Sequence, residues 1–262
     1  LNQKIILPQN KKWRKATLLY NGTEYLVKAR LKGDFIDHLV GDQWSFRVKT
    51  KVPIKSMSKF SLQKMETRNG LYEWVYLEIM KSQGIIAPDY DFIRVSYNNK
   101  SRGFFAIEEH FDNHFLTKRD LEVSAIVTWD DKLFWDLRQS TIDTNMYHWD
   151  NLLPYVLTLP LKSHTKSVYN KEAIKLFDNY RHGLVDPDQV FDMDKLSTFY
   201  ALSNLMAAHH NLFFHNLKFY FNPSIQKFEP IAFDGGINQS TTELFHGLDS
   251  SIVKDSFGYL LF

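Results

Sequence analysis

Residues 209–236 read HHNLFFHNLKFYFNPSIQKFEPIAFDGG, and the rest of the chain is organised around them. Two runs, 217–221 and 228–233, are rich in aromatic and β-branched residues, with the turn-forming Asn222-Pro223-Ser224 between them, so the pattern predicts an antiparallel hairpin. Closure at Pro223 places Asn216, just before the first strand, beside Asp234, just after the second. An Asn and an Asp converging near His209, His210 and His215, with Gly235 and Gly236 allowing close backbone approach, suit a divalent cation that completes its shell with phosphate oxygens. The alternative is a helix end with satisfied histidines followed by an ordinary hairpin.

The spacing is also that of a protein-kinase core. His209-His210-Asn211-Leu212-Phe213-Phe214-His215-Asn216 overlays H-R-D-L-x-x-x-N, and Phe233-Asp234-Gly235 echoes a metal-binding D-F-G aspartate. Asn211 stands where such a loop carries its catalytic Asp, and His210 and His215 are the neighbouring groups able to take a proton near neutrality.

With 262 residues, 44% of them hydrophobic and 15% aromatic, the chain can bury a sizeable core and is not disordered. A formal charge of +2 gives no reason to expect a nucleic-acid partner, and the cluster Lys11, Lys12, Arg14 and Lys15 reads as a solvated face. The absence of cysteine excludes disulfides and thiolate metal sites and leaves the compartment open. No apolar run is long enough to span a bilayer or to form a signal-peptide core. The apolar pattern at 257–262 suggests a natural chain that continues further.

Strands are expected at 16–19, 24–32 and 44–49, the first two joined at Asn21-Gly22, forming a curled antiparallel sheet. Alternation puts Lys28, Arg30 and Lys32 on one face, with Ser45, Arg47 and Lys49 sharing a face in the next strand, a cationic surface able to cradle phosphates. A helix is expected at 67–82, ending before Gly84 and carrying Glu73 and Glu78. A second hairpin, 92–97 and 103–107 around Asn98-Asn99, leads into Glu108-Glu109-His110-Phe111-Asp112. Helices follow at 171–180 and 194–208, the latter capped by Asp192. Between them and the second hairpin, Trp129, Trp135, Tyr147 and Trp149 lie among Asp130, Asp131, Asp136, Asp143 and Asp150, an aromatic-anchored loop region or a substrate-binding insertion. Asn21-Gly22-Thr23, Asn99-Lys100-Ser101 and Asn238-Gln239-Ser240 match the N-glycosylation pattern.

The order of Arg30-Leu31-Lys32-Gly33-Asp34, Trp44-Ser45-Phe46-Arg47-Val48-Lys49, Thr67-Arg68-Asn69, Pro88, Ile107-Glu108-Glu109-His110-Phe111-Asp112, His215-Asn216 and Pro230-Ile231-Ala232-Phe233-Asp234 resembles the CotH, or spore-coat-protein-H, family of atypical kinases. The resemblance covers about 29–236, with a less recognisable insert at 121–186. It implies an α+β, two-lobed, atypical protein-kinase-like fold: a sheet-rich N-terminal lobe to about residue 110, then a mainly helical C-terminal lobe with a catalytic-loop hairpin. It also implies ATP with Mg2+, Ca2+ or Mn2+, and phosphorylation of serine on a secreted, surface or coat protein outside the cytoplasm. By that resemblance Arg30, Lys32, Arg47 and Lys49 hold phosphates and Glu73 orients a cation. Ile107, Glu108 and Glu109 border the adenine, and Asn216 and Asp234 hold the metal.

Two positions depart from that pattern: Asn211 and Gly236 stand where the family carries aspartates. A neutral amide cannot act as a general base, so transfer is expected to be slow. Two further readings remain: a non-catalytic kinase-like binding or assembly module, and a metal-dependent phosphoesterase using His209, His215 and Asp234.

Overall fold

The computed structural model describes residues 6–33, 36–130, 154–156, 164–213 and 216–236. His215, Asp34, the aromatic and acidic residues of 131–150, the Asn238 glycosylation pattern and residues 257–262 lie outside them. The chain is α+β and falls into two compact units, Leu1–Val75 with Pro88–Leu121, and Tyr76–Ala87 with Glu122–Phe262.

The first unit is built on a curled antiparallel sheet of six strands: β1 (Arg14–Tyr20), β2 (Thr23–Leu31), β3 (Phe46–Ile54), β4 (Met57–Gln63), β5 (Tyr90–Tyr97) and β6 (Lys100–Glu109), in the spatial order β1-β2-β3-β4-β6-β5. Asn21 and Gly22, both at positive φ, make the expected first turn, and Asn98 with Asn99 make another. The hairpin between β3 and β4 was not expected. Its turn is Lys55-Ser56, at φ 47° and 58°, a pair with no Gly or Asn to announce it. Alternation divides the sheet. One face carries the core of Val27, Val48, Ile54, Met57, Phe60, Leu62, Phe105 and Ile107; the other presents polar and charged side chains.

The helix expected at 67–82 begins later. Residues Met65–Arg68 form a 3-10 turn, Asn69 and Gly70 both take left-handed φ, and α1 runs Leu71–Ser82. Two successive left-handed residues cannot continue a right-handed helix. A short helix, α2 (Asn113–Thr117), follows β6, with the Asp112 carboxylate accepting from Phe115 N at 2.9 Å.

The second unit holds β7 (Ile126–Trp129), β8 (Pro154–Val156), α3 (His164–Arg181), α4 (Pro187–Val190), α5 (Met193–Leu205), β9 (Lys218–Asn222) and β10 (Lys227–Pro230). Its strands form one sheet in the order β10-β9-β7-β8. Phe177 stacks on Trp129 at 4.4 Å between centroids and meets Phe191, Phe219 and Phe228, which makes the core largely aromatic. Asp192 caps α5 as expected, accepting from Lys195 N at 3.2 Å. Among the described residues no helix is long and apolar enough to cross a membrane.

Candidate functional site

The β9–β10 hairpin is present, and its register sets the geometry at its open end. Phe219 opposes Pro230 and Phe228 opposes Phe221. Beyond Pro230, Ile231 N still donates to Lys218 O of β9 at 2.8 Å, and the chain then runs beside Ile86, to which Ile231 bridges in parallel, while Ala232 N donates to Ile86 O at 2.8 Å. The second strand ends at Pro230, short of the expected 228–233, because from Ile231 onward the chain pairs with Ile86. The redirected segment holds Asp234, at φ 61°, close to the 3-10 turn His209–Leu212 that follows α5.

There His210 joins the two predicted metal ligands. Its Nδ1 lies 3.1 Å from Asp234 Oδ1 and 3.1 Å from Asn216 Nδ2, and Asn216 Nδ2 also donates to His210 O at 2.9 Å. Asn216 and Asp234 are each only 7% exposed. The expected convergence is observed, with one addition: the imidazole sits against both side chains. Gly236 makes this possible, because a Cβ there would lie 2.5 Å from His210 Cβ, and its φ of 61° also favours glycine. A Cβ on Gly235 would come within 2.9 Å of the Tyr76 ring.

A carboxylate and an amide oxygen are hard donors suited to Mg2+ or Ca2+, and two protein oxygens match a cation whose remaining ligands are phosphate and water. Among the described residues no three His, Asp or Glu side chains cluster as a self-sufficient metal cage. His209, a ligand in the phosphoesterase reading, is held below its ordinary pKa by burial.

Asn211 lies elsewhere than a reactive loop residue should. It is 1% exposed, its Nδ2 donates to Ser203 Oγ at 3.0 Å and to the Tyr76 hydroxyl, and its Oδ1 is buried with no hydrogen bond. Its partners belong to α5 and α1, so the amide ties the 3-10 turn to the helices packed behind it. The expectation that Asn211 faces an incoming hydroxyl is corrected accordingly: burial directs it inward.

In the first unit the polar sheet face is as expected, and wider. Register pairs Arg30 with Arg47, Arg47 with Ser61, and Ser61 with Glu108. One step along, Lys15 pairs with Lys28, Lys28 with Lys49, and Lys49 with Lys59. Trp13 packs under Lys49 Nζ and the Arg30 guanidinium, at 4.5 and 5.3 Å from its ring centroid. Lys32 is buried just past β2. Its Nζ lies 3.1 Å from Glu108 Oε2 and donates to Gln63 Oε1, while Arg68 Nε lies 3.4 Å from Glu108 Oε1. Burial alone would raise the Glu108 carboxyl, but Lys32, Arg68 and Arg47 together hold it down at about 2. Burial, outweighing the attraction of Glu108, lowers Lys32 to about 7.

The three residues expected at an adenine separate. Glu108 belongs to this charge cluster. Ile107 points to the opposite face, inside the apolar core, so its side chain cannot line the same surface as Glu108. Glu109 pairs with Arg119 and Lys118, each at 2.7 Å. Glu73 is buried in the first unit, at 1% exposure.

Lys59, Trp13, Gln63, Tyr76 and Ser203 were missed. Lys59 and Gln63 lie on β4, whose turn carries no signature, and the roles of Tyr76 and Ser203 depend on contacts with Asn211 that no spacing reveals. No known protein family matches the chain, and no characterised protein matches it.

Proposed function

We propose that this protein binds ATP with a divalent cation and is a kinase-like phosphotransferase of the CotH type. The observation that supports this most is the convergence of Asn216, Asp234 and His210 at the open end of the β9–β10 hairpin. In this reading Asp234 and Asn216 hold the cation, and Arg30, Arg47 and Lys49 of the first unit hold phosphates. The cation would supply charge neutralisation to the phosphoryl group in transfer.

The chain's own residues then divide the remaining work. Asp234, against Nδ1, orients the imidazole of His210, and this ring, with its side chain 44% exposed, takes the hydroxyl proton in place of the missing aspartate. Asn211 positions the turn from behind. Lys32, Arg68 and Glu108 form a fixed charged base beneath Arg47 that keeps the cationic face in register. The substrate proposed is a serine hydroxyl on a secreted, surface or coat protein. Loss of both His210 and transfer, with nucleotide binding retained, would describe the second reading, a binding or assembly module; it is favoured by the inward-facing Asn211.

Thermal denaturation with ATP, Mg2+ and both together tests this. Saturation at a hundredfold over Kd adds about 2.7 kcal/mol, a shift of roughly 5–11 °C for a chain of this size. Both ligands together are expected to give the full shift, and Asp234→Ala to remove it. No shift in the natural protein refutes the proposal.

A further inference from the structure

Four lysines stand in one row across the first unit's sheet: Lys15, Lys28, Lys49 and Lys59, each directly opposite the next on β1, β2, β3 and β4. Like charges at directly opposed positions destabilise a sheet. Among the described residues none of the four makes an ion pair with a carboxylate. Their row spans three interstrand steps, about 14 Å.

Lys59 is the innermost and half-buried. Its Nζ donates to Phe111 O at 3.4 Å. Facing it are Lys49 and Arg47 from β3 and Lys28 and Arg30 from β2. From the far side come His110, whose N donates to Lys59 O at 2.9 Å, Asp112, whose carboxylate is engaged by Ser58 Oγ and by Phe115 N, and Glu108 of β6. Glu108 is taken by Lys32 and Arg68, and Glu109 by Lys118 and Arg119. Lys118 additionally contacts Asp89. An ammonium held among cations, with every nearby carboxylate already engaged, is stabilised when an anion arrives.

We infer that the row is a site for a chain of three or more phosphate groups, and that Lys59 takes up a proton when the chain binds. The inference rests on the phosphate-binding reading above and adds to it both a residue and a regulation. Desolvation first, then Arg47 and Lys49, hold the Lys59 ammonium down to about 7, and desolvation, with Arg30 and Lys28, lowers Lys49 as well. A bound polyanion reverses those electrostatics, so Lys59 stays protonated in the complex. Uptake is then absent below pH 7 and approaches one proton above it, and affinity falls as pH rises from 7. Trp13, under Lys49 and the neighbouring Arg30, holds the middle of the row in place.

The test is calorimetric titration of inorganic tripolyphosphate into the protein at pH 6 and pH 8, in buffers of different ionisation enthalpy. Lys59→Met and Lys59→Arg are measured in parallel, because the ligand's own protons are common to all three proteins and cancel. At pH 8 the natural protein should take up close to one proton more than Lys59→Arg, which should still bind, while Lys59→Met should bind at least tenfold more weakly. Failure of the natural protein to bind tripolyphosphate, or equal proton counts in the natural protein and Lys59→Arg, overturns the inference. The two proposals fail separately: tripolyphosphate binding with no response to ATP and Mg2+ removes the nucleotide reading, and an ATP–Mg2+ response without the Lys59 proton removes this one.

Discussion

His210 and Asp234 meet at 3.1 Å, Nδ1 to Oδ1, although 24 residues and a whole hairpin separate them. The contact exists because the chain past Ile231 runs beside Ile86 and Gly236 leaves room for the imidazole. In the proposed reading the carboxylate and amide at this hairpin mouth hold the cation and the imidazole takes the proton.

Replacing Gly236 should disturb that contact selectively. Gly236→Ala meets His210 Cβ at 2.5 Å and adopts left-handed φ, whereas Gly22→Ala bears a comparable φ of 77° with nothing within 4 Å. Left-handed strain costs roughly 1–2 kcal/mol in either variant. Chemical denaturation should show Gly236→Ala losing more than Gly22→Ala; equal losses would mean that His210 relaxes away freely.

Asn211 should behave as a structural residue. Asn211→Ala removes hydrogen bonds to Tyr76 and Ser203 and should cost about 1–3 kcal/mol of stability. A double-mutant cycle with Tyr76→Phe should give a non-zero coupling energy, since both changes break one network. Additive losses, or a loss of catalytic rate without any loss of stability, would return Asn211 to the reacting groups.

Glu108 contacts both Lys32 and Arg68 through its carboxylate. Glu108→Gln takes the counter-charge away from the buried Lys32 and should cost about 3–5 kcal/mol. Its low folded-state value of about 2, against 4.5 unfolded, contributes stability present above pH 4.5 and lost as pH falls toward 2. The variant's denaturation profile should therefore be flatter over that acid window, and a parallel profile would mean that the carboxylate is not held as described.

Lys59 supplies the opposite case. Folded at about 7 and unfolded at 10.5, it is protonated in both states below pH 7, where its burial penalty is complete. Between 7 and 10.5 the unfolded chain binds more protons, so stability rises with pH across that window. Lys59→Met should raise the ligand-free melting temperature by several degrees at pH 6, at about 2–4 °C per kcal/mol, and by progressively less toward pH 10. A pH-independent difference would contradict a strained ammonium.

How much of this was visible in the sequence follows from which signals are local. The hairpins at Asn21-Gly22, Asn98-Asn99 and Pro223 carry recognisable turn residues, and the closure of the last one brings Asn216 and Asp234 to the same end of the hairpin. The turn Lys55-Ser56 carries no such residues, so β4 and with it Lys59 and Gln63 went unseen. Alternation correctly grouped Arg30 with Arg47 and Lys28 with Lys49. It also separates Ile107 from Glu108, which the motif-based grouping overlooked. Asn211 was misplaced because its environment is set by Tyr76, 135 residues distant, and a loop motif says nothing of what packs behind it.

The most direct measurement of the central claim is isothermal titration of ATP, with and without Mg2+, into the natural protein, Asn216→Ala and Asp234→Ala. The account predicts Mg2+-dependent binding in the natural protein, weakened by loss of Asn216 and abolished by loss of Asp234 while the fold persists. Binding that is absent from the natural protein, or equal in all three, would contradict it.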